Sequence, residues 1–470
     1  MIGHYFSAFA LAKVAHVANA AATSEILIVI SSPVPLQTRQ FGARAPDRLS
    51  CRKTPRPCRD LGLTTQSTET RSIETRHSWI VASIALACLG MSFGAPWIIA
   101  VGLKAVAADM GGARSVPSLA VSLTWLGAAA GGIAMGPLAE RFGIRFTVIL
   151  GTIMMAIGLL ISTGGTAWHL YIGHGVFMGL LGNAGLNAPL YVYVSRWFDK
   201  RRGSALALIS SGGYLAGAVW PTIFERSIAT FGWQWTMTGY AVVLVSVVLP
   251  LAIFFLRAPP EIPASTDAAT GAGGKPQALG WPPNVTFAIL VFASFLCCVT
   301  MSMPQQHLVA LCSDLGISAT VGAAMLSVLL GAGVISRQIW GLIADRLGGL
   351  ITAVASSLLQ GIGIAGFVVA QAEASLFAVS LAFGIGFSAL IPAYVLVIRE
   401  LFPLREAHWR VPALLLLSGS GMAVGGSLAG YLYDLYGSYG PAFGVGLATN
   451  VANLALLSML VVRQRMMTAR

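Results

Sequence analysis

The decapeptide Gly136-Pro-Leu-Ala-Glu-Arg-Phe-Gly-Ile-Arg145 decides the fold, because an altered copy, Gly341-Leu-Ile-Ala-Asp-Arg-Leu-Gly-Gly-Leu350, occurs later in the chain. The two copies begin 205 residues apart, and each follows a long apolar run. A charged turn at the same place in two similar halves is typical of a membrane protein built by duplication.

The composition agrees with this interpretation. Of the 470 residues, 56% are hydrophobic and only 10% are charged, whereas a soluble domain carries about 25% charged residues. Such a chain cannot cover its own surface with polar groups, so we expect the lipid bilayer to surround it. The net charge of +12 falls largely in the first 76 residues and in the loops of one side, and we expect no nucleic-acid partner.

No motif for a metal or a cofactor is evident. The six cysteines form neither a zinc-ligand pattern nor a disulfide framework. A Walker-type phosphate loop is also missing from the sequence. We therefore expect no metal and no cofactor, and an electrochemical gradient in place of a nucleotide as the source of energy.

Twelve apolar runs have about the 20 residues needed to cross the bilayer as helix. They are 79–103, 115–138, 146–164, 168–194, 203–223, 233–256, 284–304, 318–342, 350–370, 373–398, 411–434 and 440–462. These runs give two six-helix halves, 79–257 and 284–462, joined by a Pro/Ala/Gly/Thr-rich linker, 258–283, and followed by a tail, 463–470. Residues 1–78 do not match the rest, and we expect either a disordered extension or a start site placed too far upstream.

The loop charges predict the orientation, since Lys and Arg collect on the cytoplasmic side. One side holds most of the basic loop residues, and the other holds only Lys104, Arg114 and Arg226. We expect both termini to be cytoplasmic, in a multi-pass protein of the bacterial inner membrane.

The repeated decapeptides resemble the loop signature of the major facilitator superfamily, Gly-x-Leu-Ala-Asp-Arg-x-Gly-Arg-Arg/Lys. The first copy matches at Gly136, Leu138, Ala139, Arg141, Gly143 and Arg145, with Glu140 in place of Asp. The second copy matches at Gly341, Ala344, Asp345, Arg346 and Gly348. The resemblance extends over residues 79–462 and implies an all-α fold of twelve transmembrane helices in two pseudo-symmetric halves, a secondary transporter, and a monomer.

The decapeptides have a physical interpretation of their own. Glycine lets helix ends approach, while a carboxylate can cap a neighbouring helix and pair with an arginine. Such a latch would hold one arrangement of the two halves and break in the other. The alternative is that these charges only anchor the turn at the membrane surface.

Two further stretches are similar to the monocarboxylate and oxalate/formate branch of this family. They are Tyr193-Val-Ser-Arg-Trp-Phe-Asp-Lys-Arg-Arg-Gly203 and His307-Leu-Val-Ala-Leu-Cys-Ser-Asp-Leu-Gly-Ile-Ser318. Within the first stretch, Arg201 and Arg202 either mark the cytoplasmic side or form a gating contact.

Arg337 is the leading substrate candidate, because ionisable residues within membrane spans are costly and usually functional. It lies four residues before Gly341, where the monocarboxylate branch carries a substrate-binding arginine. A guanidinium stays charged and can hold a carboxylate with two hydrogen bonds. The alternative is an arginine that extends to the cytoplasmic interface.

Three departures from that branch bear on the cargo. Its aspartate four residues before the arginine is Gly333 here, its first-helix lysine corresponds to Trp97, and the oxalate carriers' eleventh-helix lysine corresponds to Ser420. One fixed positive charge in place of two favours a small monoanion over a dianion. No acidic side chain lies deep in a predicted span, so coupling to a proton would fall to another group.

His174 is the titratable alternative for a co-transported proton, since imidazole titrates near neutral pH; a structural histidine is the other interpretation. Asn183, Asn187 and Tyr191 recur every four residues and share one helix face, which either lines the cavity or bonds to neighbouring helices. Trp97, Tyr214 and Trp220 supply aromatic walls or packing.

Four glycines of the eleventh span, Gly421, Gly425, Gly426 and Gly430, predict close helix packing.

The sequence favours two kinds of transporter over an enzyme. The leading hypothesis is a carrier of a small organic anion, and the alternative is a drug or metabolite exporter of the same fold. The Gly-Pro-x-x-Gly-Gly signature of drug/proton antiporters is not matched in the fifth span. An enzyme is disfavoured because the sequence shows no clustered acid, base and nucleophile.

Overall fold

The computed structural model describes residues 74–198, 201–257 and 279–468, and every regular element within those ranges is helical. The all-α class is therefore confirmed. The extension 1–78 and the linker 258–283 lie almost wholly outside the described residues.

The first half comprises nine α-helices and one π-helix in its described part. They are α1 (Arg76–Ser92), α2 (Trp97–Asp109), α3 (Ser115–Phe142), α4 (Ile144–Ser162), α5 (Ala167–Tyr171), the π-helix (Ile172–Asn183), α6 (Ala184–Ser195), α7 (Arg202–Ser210), α8 (Gly212–Phe231) and α9 (Trp233–Phe255).

The second half comprises seven α-helices in its described part. They are α10 (Pro283–Asp314), α11 (Ala319–Leu347), α12 (Gly349–Val369), α13 (Glu373–Phe387), α14 (Leu390–Leu401), α15 (Leu404–Tyr436) and α16 (Gly440–Thr468).

Eleven helical stretches of the described chain are long and apolar enough to cross a membrane. The predicted fourth span is not among them, because its continuous helical path changes from α5 to the π-helix and then to α6. The π-helix packs between α3 and α4. All twelve predicted spans are helical, and the fourth owes its irregular geometry to a local change of helix type.

The two halves meet through equivalent helices. In the first half, α3 (second crossing) packs against α15 (eleventh), and α8 (fifth) packs against α11 (eighth). Crossings two and eight occupy equivalent positions in the two halves, and so do crossings five and eleven. The pair formed by crossings two and eleven therefore corresponds to the pair formed by crossings eight and five. The interface therefore has the pseudo-two-fold symmetry that the repeated sequence predicts.

The repeated turns share one backbone conformation. Gly143 has φ 85° and ψ 160°, Gly348 has φ 82° and ψ 167°, and each ends one helix and begins the next. Their N–H groups donate to Ala139 and Ala344 carbonyls at 2.9 Å. This region of backbone space is open almost only to glycine, which explains why this position recurs in both decapeptides.

Some helices continue beyond the predicted spans. The fifth span was predicted to end at residue 223, but α8 continues to Phe231 and buries Glu225, which is 9% exposed. Its carboxylate accepts a hydrogen bond from the Thr320 hydroxyl at 2.9 Å, across the interface of the halves. Glu225 lies beyond the predicted end of the fifth span, towards the end of α8, so the expectation that no acidic side chain lies deep in a predicted span stays a prediction.

Candidate functional site

Arg337 is oriented by the way in which α11 packs on its own half. The Ser336 hydroxyl lies 2.8 Å from the Ser388 hydroxyl, and the Trp340 indole N–H donates to the Ile385 carbonyl at 2.8 Å. Those residues turn one face of α11 towards the end of α13. Arg337 is one residue from Ser336, about 100° around the helix, and it faces the first half.

The guanidinium of Arg337 contacts only neutral groups of the first half. Its Nη1 lies 3.5 Å from the Ser210 carbonyl, at the end of α7, and its Cζ lies 5.0 Å from the centre of the Tyr214 ring. Carbonyls at a helix C-terminus carry partial negative charge. No carboxylate pairs with Arg337 in the described parts of the chain, so a ligand anion would find its donors unclaimed by a fixed acid.

Tyr214 fills the space that an acidic side chain would need on α11. A Cβ at Gly333 would lie 2.9 Å from the Tyr214 ring atom Cδ1, which is closer than packed atoms approach. The same ring lies 5.7 Å from the Phe387 ring and is thereby held in place. Gly333 and Tyr214 are complementary in shape, and this explains the absence of the aspartate that the resembled branch carries there.

The polar face of the fourth crossing divides into two environments. Tyr191 is half-buried and lies near Arg337. Asn187 is also half-buried, whereas Asn183 at the end of the π-helix is buried and its Oδ1 has no hydrogen-bond partner. Tyr191 thus joins Arg337 and Tyr214, while Asn183 lies among the packed helices.

Trp97 and Ser420 stand apart from this group. Trp97 begins α2, directly after the break that divides the first crossing, and is half-buried against the core. The Ser420 hydroxyl donates to its own helix, at the Leu416 carbonyl. No hydrogen bond or ring contact links either residue to Arg337 within the described ranges, and their roles stay predictions.

Trp220 belongs to the packing of the first half. Its ring stacks on Phe224 at 5.2 Å and meets the Tyr240 ring edge-on at 4.9 Å. Its indole N–H donates to the Gly90 carbonyl at 3.3 Å. Of the three aromatic candidates, Tyr214 is the one that lies against Arg337.

His174 is enclosed between the third and fourth crossings. It is fully buried, and its Nδ1 lies 2.9 Å from the Ser162 hydroxyl and 3.1 Å from the Leu170 carbonyl, whereas Nε2 has no partner. These neighbours belong to the first half alone. The geometry favours the structural interpretation, and the proton role at His174 stays a prediction.

The charges of the first repeated turn form contacts within their own half. Glu140 lies 3.8 Å from Arg196, with both side chains exposed, and Arg145 donates to the Leu256 carbonyl at 2.5 Å, at the end of α9. Arg141 is exposed and lies over Phe142. Arg201 is also exposed, and its backbone N–H donates to the Glu74 carboxylate.

The second turn is more open. Asp345 and Arg346 are exposed and form no ion pair with any described residue. A Cβ added at Gly136 or Gly341 would meet nothing within 4 Å. The N-terminus of α12, which begins in this turn, is capped by Glu400, a residue that the sequence did not suggest. Its carboxylate accepts a hydrogen bond from the Gly349 N–H at 2.9 Å. The latch is not engaged between the halves in this conformation, and it stays a prediction.

The opposite ends of the helices are joined by a network centred on Arg114. We call this the closed end; it is formed by residues 104–118, 225–236, 305–320 and 426–439, and the end that carries the repeated turns is the basic end. The Arg114 side chain binds both oxygens of Asp314, at 2.5 and 2.6 Å, and lies 3.6 Å from the centre of the Tyr433 ring. Lys104 adds a second ion pair to Asp314, at 3.1 Å.

A second carboxylate fixes the start of α3. Asp434 accepts from the backbone N–H groups of Arg114 and Ser115, at 2.8 and 2.9 Å, where the helix dipole favours negative charge. Burial lowers the pKa of Arg114, but its hydrogen bonds to Asp314 and to the Tyr439 hydroxyl outweigh that effect and raise the pKa above its ordinary value. Arg114 therefore remains charged in the closed end.

The polar contacts between the halves are concentrated at one end of the bundle. Among the described residues, hydrogen bonds between the halves cluster in the closed end, and two further ones join Arg337 to Ser210 and Ser122 to the Ala423 carbonyl, the latter at 2.6 Å. A twelve-crossing bundle in two matched halves, joined by ion pairs at one end and holding between the halves an arginine that has no acidic partner among the described residues, is the architecture of a membrane transporter.

The comparisons with known proteins place this transporter in a family. Residues 82–408 match the Major Facilitator Superfamily, and the chain belongs to that family. It is 28% identical over 324 residues to monocarboxylate transporter 13 of Rattus norvegicus, covering 68% of this chain and 74% of that one. It is 24% identical over 319 residues to the MFS transporter asaE of Aspergillus flavus, covering 67% and 69%.

The fold also matches a solved structure. A bacterial homologue of the human lysosomal transporter Spinster, in an inward-facing and occupied conformation, superposes with a TM-score of 0.58 at 16% identity, covering 84% of this chain and 98% of that one. At this identity the likeness concerns the fold alone. The two relatives are fungal and mammalian, and they give no support to the bacterial inner membrane, which stays a prediction from the sequence.

Proposed function

We propose that this chain is a secondary transporter that carries a small organic anion of the monocarboxylate type by alternating access. The observation that supports this most is Arg337, a charged group between the halves whose contacts are a backbone carbonyl and an aromatic ring of the opposite half. An incoming carboxylate gives stronger, charge-assisted bonds than either contact. It would displace the carbonyl and bring the halves together around the anion.

The conformation of the closed end fits the same proposal. A gradient-driven carrier exposes its site to one side at a time, by rocking one half against the other. On this proposal the anion reaches Arg337 from the basic end while the closed-end contacts are formed. The positive-inside rule predicts that the basic end is cytoplasmic, and on that orientation we propose that the anion enters this conformation from the cytoplasmic side.

Uptake of labelled monocarboxylates into proteoliposomes tests the proposal. We expect Arg337→Ala to lose uptake by at least about a hundredfold, since charge-assisted recognition contributes about 1.5–3 kcal/mol per bond. Arg337→Lys keeps the charge but cannot form the bidentate hydrogen bonds of a guanidinium, and we expect a raised KM for the anion. The matched control is Arg226→Ala, an exposed arginine on the closed end. Transport of no anion, or normal transport by Arg337→Ala, would contradict the proposal.

A further inference from the structure

His307 lies at the inner edge of the closed end, where groups of both halves meet it. It is fully buried on α10. Its Nε2 lies 2.9 Å from the Gly426 carbonyl and 3.4 Å from the Ser118 hydroxyl, and its Nδ1 lies 3.0 Å from the Tyr439 hydroxyl. Tyr439 in turn receives a hydrogen bond from Arg114 Nη1, at 2.9 Å. A chain of polar contacts therefore runs from Asp314 through Arg114 and Tyr439 to His307.

The partners settle where the hydrogens lie in this chain. A guanidinium has only donors, so the Tyr439 oxygen accepts from Arg114 and its own O–H points to His307 Nδ1. The Gly426 carbonyl has only lone pairs, so His307 Nε2 carries the ring hydrogen. Burial raises the pKa of Tyr439 above its ordinary value, so its hydroxyl keeps its proton. One neutral tautomer of His307 satisfies both of its ring nitrogens.

A proton added to His307 would break this arrangement. Nδ1 would become a donor facing the Tyr439 O–H, and that hydroxyl would have to turn away and lose its partner. The new imidazolium would also add a third positive charge beside Arg114 and Lys104. The nearest carboxylates already have partners, because Asp314 pairs with both of these cations and Asp434 caps α3. Buried polar groups left without partners are costly, so a proton weakens the contact between the halves at this point.

We propose that His307 is a proton-binding site that operates the gate at the closed end, so that uptake of a proton on Nδ1 opens this end to the outer side. The proposal rests on the proposed transport function and adds a ligand, the proton, and a place where it acts. Acid on the outer side then favours the outward-open state, which is the direction that proton-driven uptake of an anion requires. His307 is a positioning residue for the gate and does not contact the anion at Arg337.

The experiment follows the gate itself and needs no substrate. Spin labels are placed at Ala108 and Ser438, which are exposed at the closed end, one in each half, and their distance is measured by double electron–electron resonance on the full chain in lipid nanodiscs. The pH is lowered from about 8 to about 3.5, a range that extends well below the ordinary imidazole titration near 6.5. We expect the wild-type distribution to shift to longer distances as the pH falls.

The variants separate the proton site from general acid effects. His307→Gln can still hydrogen-bond but cannot take up a proton, and the pH shift should be lost. Tyr439→Phe removes the opposed hydroxyl and should reduce the shift, which keeps the test decisive if His307→Gln fails to fold. His169→Gln, an exposed histidine on the same side, is the matched control and should shift like wild type.

The outcomes distinguish this inference from the proposed function. An unchanged wild-type distribution, or a shift that persists in both His307→Gln and Tyr439→Phe, overturns the proton gate. A shift that disappears in those variants while no monocarboxylate is transported supports the gate and rejects the anion as cargo.

Discussion

At the scale of single residues, Arg337 and Tyr214 show how this chain can hold a charge between two membrane-embedded halves without a fixed counter-ion. A neutral aromatic face offers a cation a weak attraction, and a helix-end carbonyl adds a long hydrogen bond. Both contacts are easily exchanged for a carboxylate. A fixed aspartate would compete with an anionic ligand for the same donors, and Tyr214 excludes one sterically at Gly333.

The fit between Gly333 and Tyr214 can be tested by adding a single methyl group. We expect Gly333→Ala to lower the thermal stability of the purified protein, because overpacking costs about 1–3 kcal/mol. The companion variant Gly331→Ala should be nearly neutral, since the added Cβ would meet only the Ala218 Cβ at 3.6 Å. The readout is the Tm in detergent. Equal effects at the two positions would show that Tyr214 does not constrain Gly333.

The sequence singles out Arg337 because a charge within a membrane span is unusual, and it offers Tyr214 as one of three aromatic candidates, but it does not reveal the closed-end network. Arg114 counted only as a loop charge, and its partner Asp314 is 200 residues away. His307 begins a stretch that is similar to a known branch, and that similarity implies no role for it. Such pairings depend on how the two halves meet, and no local pattern carries that information.

At the scale of elements, the eleventh crossing confirms the packing that its glycines predict. A Cβ at Gly421 would lie 2.4 Å from the Phe295 carbonyl oxygen, and one at Gly425 would lie 2.2 Å from that of Val299. Both oxygens belong to the backbone of α10, which cannot move aside as a side chain can. Helices in a bilayer associate through such close approaches, so α10 and α15 form one rigid pair within the second half.

Gly421→Ala should therefore separate α15 from α10. We expect a fall in Tm that corresponds to about 1–3 kcal/mol, measured by thermal unfolding of the purified chain. The control is Gly444→Ala in α16, where an added Cβ meets nothing within 4 Å and the higher helix propensity of alanine applies. If both variants unfold at the same temperature as wild type, the close approach of α10 and α15 is not a source of stability.

The elements were predictable to different degrees. Apolar length revealed all twelve crossings, but not the change of helix type at Ile172–Asn183 or the breaks before Trp97 and at Ser211. Hydropathy also ended the fifth span before Glu225, because a charged residue lowers the local average whether or not its helix continues. Glu225 is tolerated there because Thr320 of the other half donates to it.

At the scale of the whole molecule, transport depends on a balance between two arrangements of the halves. The closed end is stabilised by one buried arginine that holds carboxylates from α10 and α15. The basic end carries the repeated turns, whose Gly136 and Gly341 have free space around them. On the alternating-access proposal the two sets of contacts belong to different arrangements, so strengthening either one would shift the population towards the arrangement that contains it.

Removal of the Asp314 carboxylate should shift this balance. Asp314→Ala leaves the buried guanidinium of Arg114 without its ion-pair partner, and loss of one member of such a pair costs about 2–5 kcal/mol. A free-energy change of about 1.4 kcal/mol is a tenfold change in an equilibrium constant. We therefore expect the distance between spin labels at Ala108 and Ser438 to be longer than in wild type at every pH, because the contacts of the closed end are lost. The control is Asp109→Ala, because Asp109 is exposed at the same end but bonds Trp233 and Gln234 of its own half. A distance distribution like that of wild type in Asp314→Ala would mean that apolar packing of α3 on α15, and not the Arg114 network, keeps this end shut.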